Sequence, residues 1–404
     1  MTAQFALNPL AGRRTPPSDA VAVLHFALTD ARSLRDAASE FYRQARLGRR
    51  AVAVVSGPVQ ALADRCAEIG LGAVIAAPHA PELVHEPVVL APGDVAVRAP
   101  SPAPARPLRI AIAGCGVVGG GLYERLEADP RFDVVGVLVR DPARARSPQP
   151  QADLLCTSID ALLGSAPDVV LDGLSDAEVG LDLTRRALAS GISVVSANKR
   201  AVGGQLKTLS ALADQSGATL AFSAAVGGGA PVIETLLRAR DHGPIARIEG
   251  VLNGTVNFLL NQLCDGCAFS DALADARLRG FAEEDPSADL EGHDAATKIS
   301  ILSALAWGEA PQLIAIQTLS SATVLPEGPV RQIARADARS SEIVFRPVAD
   351  DTLFADLPDE WNALRVICED GTVFTCRGRG AGRWPTAESV WADLLDIREV
   401  QPAR

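Results

Sequence analysis

The sequence predicts an α/β fold built on a parallel sheet, and three observations support that class. Short apolar runs, such as those at 108–114 and 168–174, have the composition of strands that are buried on both faces. Segments of helical pattern alternate with these runs, as expected when crossover helices join parallel strands. A glycine-rich turn, GCGVVG at 114–119, connects the first run to the helical segment after it. A chain of 404 residues is long enough for two or three domains.

The composition is that of a globular protein and excludes several functional classes. Hydrophobic residues make up 48% of the chain, and the formal net charge is -11, so neither a nucleic-acid surface nor a surface for anionic membranes is expected in bulk. There is no apolar run of transmembrane length and no signal peptide. Seven scattered cysteines, of which only Cys264 and Cys267 form a CxxC pair, fit a reducing cytoplasm better than a disulfide scaffold or a zinc site. We therefore expect a cytoplasmic protein.

A proline-rich segment at 98–107, RAPSPAPARP, divides the chain. Proline is excluded from helix interiors and central strands, so this segment predicts an extended linker. The residues before it, 1–97, predict a small α/β domain. Its strands are expected at 20–28, 51–56, 72–77 and 87–91, and its helices at 30–47, with Asp30 as N-cap, and at 58–69. This segment has no catalytic motif, so an interaction, a regulatory role and a decayed ancestral domain all stay open.

The residues after the linker have the order of a dinucleotide-binding unit. The strand at 108–114 leads into the glycine turn, a helix follows, and a second strand is expected at 132–141. In such a turn Gly114 permits the tight bend, Gly116 lets the backbone approach a pyrophosphate, and Gly119 lets helix and strand pack closely. The N-terminus of the helix offers N–H groups to the phosphates. A Rossmann-type domain that binds NAD or NADP is therefore predicted.

Arg140 and Asp141 stand at the end of the second predicted strand, 21 and 22 residues after Gly119. An acidic residue at this place would bind the ribose hydroxyls of NAD, whereas an arginine would attract the additional phosphate of NADP. Both are present, so the choice of cofactor stays open, with a slight preference for NADP. The alternative is that Arg140 is a solvated loop residue.

Polar residues also follow two later strands, predicted at 168–174 and 192–199. Ser175 comes directly after the first of these strands, and Lys199 lies at the end of the second. Ligands of open parallel sheets bind beyond the carboxyl ends of the strands. We therefore expect Lys199 to face the nicotinamide end of a cofactor cleft.

A dense group of acids lies within 280–298, GFAEEDPSADLEGHDAATK. Its six carboxylates fall within twelve positions: Glu283, Glu284, Asp285, Asp289, Glu291 and Asp294. Asp294 and Lys298 are four positions apart on a predicted helix whose next turns are apolar, which indicates a buried pair on one helix face. Burial beside an acid tunes a lysine for proton transfer. The alternative is a solvated acidic loop, but carboxylates beside a lysine suit a zwitterionic amino-acid substrate.

Several longer blocks occur in a fixed order between about 108 and 397: GCGVVG, SANK, AVGGGAPVI, GVLNGTVNFLL, the acidic block and GRGAGRWPTAESVWADL. With these blocks the sequence resembles the homoserine dehydrogenase family. The resemblance implies reversible hydride transfer between NAD(P)H and L-aspartate 4-semialdehyde, which gives L-homoserine in threonine and methionine biosynthesis. It also implies a Rossmann domain at 108–230, a mixed α/β domain for substrate binding and dimerisation at 231–377, and a segment at 378–404 that returns to the nucleotide domain. A homodimer or a dimer-based oligomer is expected.

The resemblance implies roles for individual residues as well. Lys298 would act as general acid or base, Lys199 would flank the same reacting oxygen, and Asp294 would orient and charge-balance Lys298. Glu283 and Asp289 would hold the substrate ammonium group. Further contacts would come from Gly254 and Thr255 to the substrate, and from Val117, Val118 and Gly382 to the cofactor.

The resemblance further implies a monovalent cation, often sodium, bound by the backbone carbonyls of Val226, Gly228 and Ala230. Family members usually add a glutamate where this chain has Ser223, so a weakened site is expected. Phe281 stands where many members have tyrosine, which removes one expected hydrogen bond to the substrate.

Other readings of the sequence remain as alternatives. One is an oxidoreductase for another amino-acid semialdehyde, and the joint presence of Glu283, Asp289, Asp294 and Lys298 argues against it. Another is a catalytically silent sensor of a nucleotide or amino acid, an idea that the departures from the family pattern support. The residues after the last block are too few for the regulatory ACT domain of many members, so threonine inhibition is not expected unless residues 1–97 supply it.

Overall fold

The structure, a computed structural model, describes residues 21–48, 50–69, 71, 74–76 and 106–400. Except for its last two residues, the proline-rich linker lies outside this part of the chain, as does the strand predicted at 87–91. Three sheets are present within the described residues.

The first sheet belongs to the amino-terminal segment and has three parallel strands, β1 (Val21–Ala27), β2 (Arg50–Ser56) and β3 (Val74–Ala76). The helices α1 (Ala31–Arg46) and α2 (Val59–Glu68) follow the first two strands. Helix α1 begins where the sequence predicts, because the Asp30 carboxylate accepts a hydrogen bond from Ser33 N at 2.7 Å. The apolar sides of both helices form one cluster that also includes Ala392, near the other end of the chain.

The second sheet is fully parallel, with the order β6-β5-β4-β7-β8-β9. Its strands are β4 (Leu108–Ala113), β5 (Phe132–Leu138), β6 (Leu155–Cys156), β7 (Val169–Asp172), β8 (Ser193–Ser196) and β9 (Leu220–Ala221). The connecting helices are α3 (Val117–Glu127), α4 (Ile159–Gly164), α5 (Ala177–Ala189), α6 (Lys199–Val202) and α7 (Leu206–Ser216). The strand order reverses at β4, and such a switch point opens a crevice beyond the carboxyl ends of the strands.

The third sheet is mixed, with the order β11-β13-β12-β10-β14-β15, in which only the β11–β13 pair is parallel. Its strands are β10 (Ile245–Val251), β11 (Gln312–Ile316), β12 (Val330–Ala336), β13 (Ser340–Pro347), β14 (Trp361–Cys368) and β15 (Val373–Arg379). The helices of this half are α8 (Ser223–Gly227), α9 (Val232–His242), α10 (Gly254–Cys264), α11 (Phe269–Leu278), α12 (Ser287–Leu290) and α13 (His293–Trp307). The predicted Rossmann-type sheet and the mixed α/β half are thus both present, although the mixed sheet extends two residues past the expected boundary at 377.

The last helix, α14 (Arg383–Val400), leaves the mixed sheet and packs on the parallel sheet. Strand β4 is buried on both faces: Ile110 and Ile112 face a cluster that contains Trp391 of α14, while Ala111 lies in the cluster shared with the mixed sheet. The Trp391 ring lies edge-on to Phe132, with 5.1 Å between the ring centroids. The carboxyl-terminal segment therefore completes the core of the nucleotide half.

In the described part of the chain, no helix combines the length and the apolarity that crossing a membrane would require. All seven cysteines are free thiols, and Cys264 and Cys267 are both exposed.

Candidate active site

The turn between β4 and α3 has the geometry for which its glycines were expected. Gly114 has a φ of +87°, a region that favours glycine. A Cβ atom on Gly119 would lie 1.9 Å from the Gly114 carbonyl oxygen, so only glycine lets the helix pack this close. A Cβ atom on Gly116 would meet no atom within 4 Å, because Gly116, the N-cap of α3, faces open space. The helix N-terminus is therefore accessible to a bound phosphate group.

This turn forms one wall of a cleft of about 1160 Å³ at the carboxyl ends of the parallel strands. Six residues proposed from the sequence as cofactor contacts line it: Gly114, Gly116, Val117, Val118, Arg140 and Ser175. Val117 is 67% exposed although it is apolar. Gly119 does not line the cleft; it packs against the backbone of Gly114 within the turn. Gly382 does not line the cleft, but its neighbour Arg383 does, together with Thr386, so the GRGAG segment reaches this site through α14.

Three arginines surround one end of the cleft, where the sequence suggested only Arg140. Arg144 and Arg146 lie in the loop after β5 and also line the cleft. Arg146 donates to the carbonyl oxygens of Asp141 and Arg144 at 2.5 and 2.6 Å, which holds the loop in place. The Asp141 carboxylate accepts a hydrogen bond from Ala143 N at 2.9 Å and so also stabilises this loop. This end of the cleft is therefore positively charged.

Close to the cleft, two lysines share one buried carboxylate. None of the three residues lines the cleft itself, but Lys199 follows the lining residue Ala197 by two positions, and the lining residue Glu283 acts on its charge. Lys298 Nζ lies 2.9 Å from Asp294 Oδ2, and Lys199 Nζ lies 2.6 Å from Asp294 Oδ1. Lys298 and Asp294 come from consecutive turns of α13, as the spacing predicted, while Lys199 is the first residue of α6. Lys298 Nζ also donates to the Leu252 carbonyl oxygen at 2.7 Å. The structure thus brings together all three residues proposed as catalytic, and we name them the Lys–Asp–Lys group.

Burial and charge act in opposite directions on this group. Burial alone would raise the pKa of Asp294, but Lys298 and Lys199 hold it well below its usual range, so the carboxylate stays ionised. Burial would lower the pKa of Lys199, but Asp294, followed by the more distant Asp289 and Glu283, raises it instead. Lys199 is 37% exposed at its side chain, while Lys298 is almost fully buried. Taken by themselves, the two ammonium groups and the one carboxylate carry a net positive charge.

Asn253 connects the acidic block to this group, and sequence reasoning missed it. Its amide nitrogen donates to Asp289 Oδ1 at 2.7 Å and to Asp294 Oδ2 at 2.9 Å. Its amide oxygen caps α10 by accepting from Val256 N at 2.8 Å. An asparagine directly before an apolar helical run is a recognisable N-cap signal, but its other two contacts are distant in sequence.

The remaining substrate candidates lie near this asparagine. Gly254 begins α10 against the backbone of residue 360, where a Cβ atom would come within 2.6 Å of the Glu360 carbonyl oxygen. Thr255 Oγ1 donates to the Phe281 carbonyl oxygen at 2.7 Å. The Phe281 ring packs on Phe258, with 5.1 Å between their centroids, and so belongs to an apolar cluster. Glu283 lines the cleft, which places a carboxylate between the cofactor wall and the Lys–Asp–Lys group.

Asp172 is a second residue that sequence reasoning missed. It ends β7 with 2% exposure, and burial raises its pKa to about 6. Ser196 Oγ, at the end of β8, donates to Asp172 Oδ2 at 3.0 Å. This contact ties together the two strand ends that carry Ser175 and Lys199, so Asp172 supports the floor of the cleft.

A parallel sheet with this glycine turn, and a cofactor-sized cleft with paired lysines close to it, define an NAD(P)-dependent oxidoreductase. Residues 114–223 match the family profile "Homoserine dehydrogenase, NAD binding domain", and residues 231–395 match the profile "Homoserine dehydrogenase". A homoserine dehydrogenase of Pseudomonas aeruginosa is 33% identical over 315 residues, which are 72% of this chain and 72% of that protein. The chain belongs to the homoserine dehydrogenase family.

Solved structures of the same family agree with this assignment. A hyperthermophilic archaeal homoserine dehydrogenase in complex with NADPH aligns with a TM-score of 0.65 at 26% identity, over 72% of this chain and 97% of that one. A homoserine dehydrogenase from Thiobacillus denitrificans aligns with a TM-score of 0.65 at 29% identity, over 73% of this chain and 74% of that one.

Proposed function

We propose that the chain interconverts L-aspartate 4-semialdehyde and L-homoserine, with the Lys–Asp–Lys group at the reacting oxygen. When bound, the nicotinamide cofactor supplies or accepts the hydride. The observation that carries the proposal is the pair of ammonium groups held by one carboxylate close to the cofactor cleft. An aldehyde oxygen gains negative charge as hydride arrives, and preorganised cations at that point stabilise the transition state.

Lys298 is our candidate for the general acid and base. An ammonium group has three N–H donors. Two of them at Lys298 are directed to Asp294 and to the Leu252 carbonyl, so the side chain is fixed and one N–H stays available for the substrate oxygen. Lys199 keeps its proton because its pKa is raised, which suits it to electrostatic stabilisation of the same oxygen.

The assay that tests this function measures NAD(P)⁺ reduction with L-homoserine, alongside L-serine and L-threonine. Activity with L-homoserine alone supports the proposal. Preference for another hydroxy amino acid would indicate a different semialdehyde enzyme, and no activity with any of them would indicate a silent homologue. The intact Lys–Asp–Lys group favours the active enzyme.

We propose Glu283 as a ligand of the substrate ammonium group, together with Asp289. For Glu283→Gln we expect a KM for L-homoserine about tenfold higher, because one charge-assisted hydrogen bond is worth about 1.5–3 kcal/mol. The KM for the cofactor should not change. Glu284→Gln is the matched control, because this neighbouring acid is not among the cleft residues. Equal KM values for L-homoserine in the two variants would refute the assignment.

We propose NADP as the preferred cofactor, because Arg140, Arg144 and Arg146 surround one end of the cleft while Asp141 is engaged with its own loop. Arg140→Ala should raise the KM for NADP by about tenfold or more and leave the KM for NAD nearly unchanged, since only NADP carries the additional phosphate. Steady-state kinetics with both cofactors provide the measurement, and Arg339→Ala, an exposed arginine on a distant turn, serves as control. A similar rise for both cofactors would contradict this role.

We further propose that the enzyme works in the cytoplasm as a homodimer that uses its second domain. The absence of disulfides among its seven cysteines supports a reducing compartment. The edge strand β11 presents exposed apolar side chains, Leu313, Ile314 and Ile316, which suit a subunit contact.

A further inference from the structure

Arg46, the last residue of α1, carries a guanidinium group that is buried inside the dehydrogenase core. Its side chain is 2% exposed. Arg46 Nε lies 2.8 Å from Glu234 Oε1, and Arg46 Nη2 contacts Asp393 Oδ1 and donates to Ser223 Oγ at 3.0 Å. The amino-terminal segment therefore places one fixed positive charge between α8, α9 and α14.

Without Arg46 this place in the core would be strongly anionic. Glu234 and Asp393 are each 2% exposed at the side chain, and Asp396 Oδ2 lies 3.9 Å from Arg46 Nη1. Burial raises the pKa of Asp393 to about 6 even though Arg46 lowers it. Buried carboxylates that lose their partner are strongly destabilising. The core of the enzyme thus requires a cation at this position.

The same helix also holds residues 226–230, the last residues of α8 and the turn that leads to α9, which we call the loop at 226–230. Tyr42, one turn before Arg46, donates its buried hydroxyl to the Gly229 carbonyl oxygen at 3.0 Å. Ser223 N, at the start of α8, donates to Asp393 Oδ2 at 3.2 Å. The carboxylates, the loop and α1 are therefore parts of one network.

The donor set around this loop does not suit a metal cation. Carboxylate charge normally accompanies carbonyl ligands of a hard cation, but position 223 supplies only a hydroxyl, and Arg46 already donates to it. The Ala230 carbonyl accepts from Val232 N at 2.8 Å. A metal ion beside Ser223 would also meet the positive charge of the guanidinium. A monovalent cation bound by the carbonyls of Val226, Gly228 and Ala230 therefore stays a prediction from the resemblance, and the charges around Ser223 do not favour it.

We propose that the guanidinium group of Arg46 takes the place of a bound monovalent metal ion. The amino-terminal segment thereby fixes the loop at 226–230. The activity and stability of the enzyme are then independent of sodium and potassium. Arg46 acts here as a positioning residue. It touches neither the cleft nor the Lys–Asp–Lys group, but the loop it holds precedes α9 and contacts the segment that leads into α14, which lines the cleft.

Further contacts of α1 support a permanent attachment. Arg43 Nη2 lies 2.8 Å from Asp396 Oδ1 and 2.7 Å from Glu399 Oε1. Ser39 Oγ accepts from Arg125, whose guanidinium also lies 2.7 Å from Glu388 Oε2. From Ala37 to Arg46 most residues of the helix are buried, apolar and charged ones alike. This gives the amino-terminal segment a structural task in the enzyme.

The test compares cation responses of the full chain and of Arg46→Ala. The wild-type thermal midpoint and kcat should be the same in sodium, potassium and choline chloride at equal ionic strength. For Arg46→Ala we expect a lower midpoint and a kcat reduced by about tenfold or more. Low concentrations of guanidinium, which fits the vacated space and restores the charge, should recover part of both quantities, while urea, its neutral counterpart in shape, should not.

Arg32→Ala is the matched control, because it removes from the same helix a charge whose ion pairs are with Asp36 and Asp129 and not with the carboxylates around Arg46. It should show no specific rescue by guanidinium. Sodium or potassium stimulation of the wild type beyond that of choline would overturn the proposal, and so would an Arg46→Ala variant that ignores guanidinium and metal cations alike. The thermal midpoint does not depend on catalysis, so failure of the proposed reaction would be seen separately.

If Arg46→Ala does not fold, the triple variant Arg46→Met, Glu234→Gln and Asp393→Asn takes its place. Neutral groups of similar size often replace a buried ionic network without loss of stability. This variant should fold and should be indifferent to every cation. A specific increase of its thermal midpoint in sodium or guanidinium would contradict the inference that these carboxylates create the need for a cation.

Discussion

Lys298→Ala is expected to lower kcat for L-homoserine oxidation by at least about 10²-fold, because positioned acid–base groups contribute about 10²–10⁴-fold. The substitution removes both the proton donor and one of the two ammonium groups beside the reacting oxygen. Cofactor binding should stay intact, since the glycine turn and the arginine end of the cleft lie on the other half of the site. Steady-state kinetics and a cofactor titration by fluorescence provide the two measurements.

Lys199→Ala distinguishes electrostatic stabilisation by Lys199 from proton transfer by Lys298. This lysine is about one third exposed and has one contact with Asp294, so its loss should reduce kcat but leave the pH profile of the remaining activity similar to that of the wild type. Near-normal turnover in Lys298→Ala would refute the assignment. A larger loss in Lys199→Ala than in Lys298→Ala would exchange the roles of the two lysines.

Asp294→Asn is expected to cause the largest loss of stability among single changes at the candidate active site. The carboxylate neutralises two ammonium groups, and its pair with Lys298 is almost fully buried. Removal of one partner from a buried ion pair costs about 3–5 kcal/mol of unfolding free energy. Lys199 is more exposed to solvent, so the loss of its ion pair with Asp294 adds less to the decrease in unfolding free energy. Asp289→Asn is the control, because this acid contacts Asn253 and neither lysine directly.

The pH dependence of this effect follows from the lowered pKa of Asp294. The carboxylate stabilises the fold wherever it is ionised in both the folded and the unfolded chain, that is, above its ordinary pKa of about 4. Below that pH the unfolded chain takes up a proton first, and the contribution is lost progressively. The difference in thermal midpoint between wild type and Asp294→Asn should therefore be constant near neutrality and shrink in acid. A difference that grows in acid would contradict the ion-pair explanation.

Much of the nucleotide half could be predicted because its signals are local. The glycine turn, its flanking strand and its helix lie within one short stretch, and Gly114 and Gly119 each have a backbone reason to be there. The same holds for Asp294 and Lys298, whose four-residue spacing places them on one helix face. Their burial was also visible from the apolar residues that follow.

The parts that were missed depend on contacts between residues that are distant in sequence. Arg46 contacts Glu234 and Asp393, which are 188 and 347 positions away. An arginine at the end of an amphipathic helix is normally a solvated charge, so the sequence offered no reason to bury it. Asn253 is a similar case, since a local pattern predicts its role as a cap but not its contacts with two acids. Pairings of this kind follow from the tertiary fold alone.

The chain crosses between its two halves at two neighbouring points. One crossing runs through Gly228 and the other through Gly380, and a Cβ atom on Gly228 would lie 2.3 Å from the Gly380 carbonyl oxygen. Gly229 N also donates to the Arg379 carbonyl at 2.9 Å. These contacts hold the two crossings side by side, so the halves are joined at one narrow place in the molecule. Because Tyr42 donates to Gly229 there, the amino-terminal segment is attached to the enzyme at the place where its two halves meet.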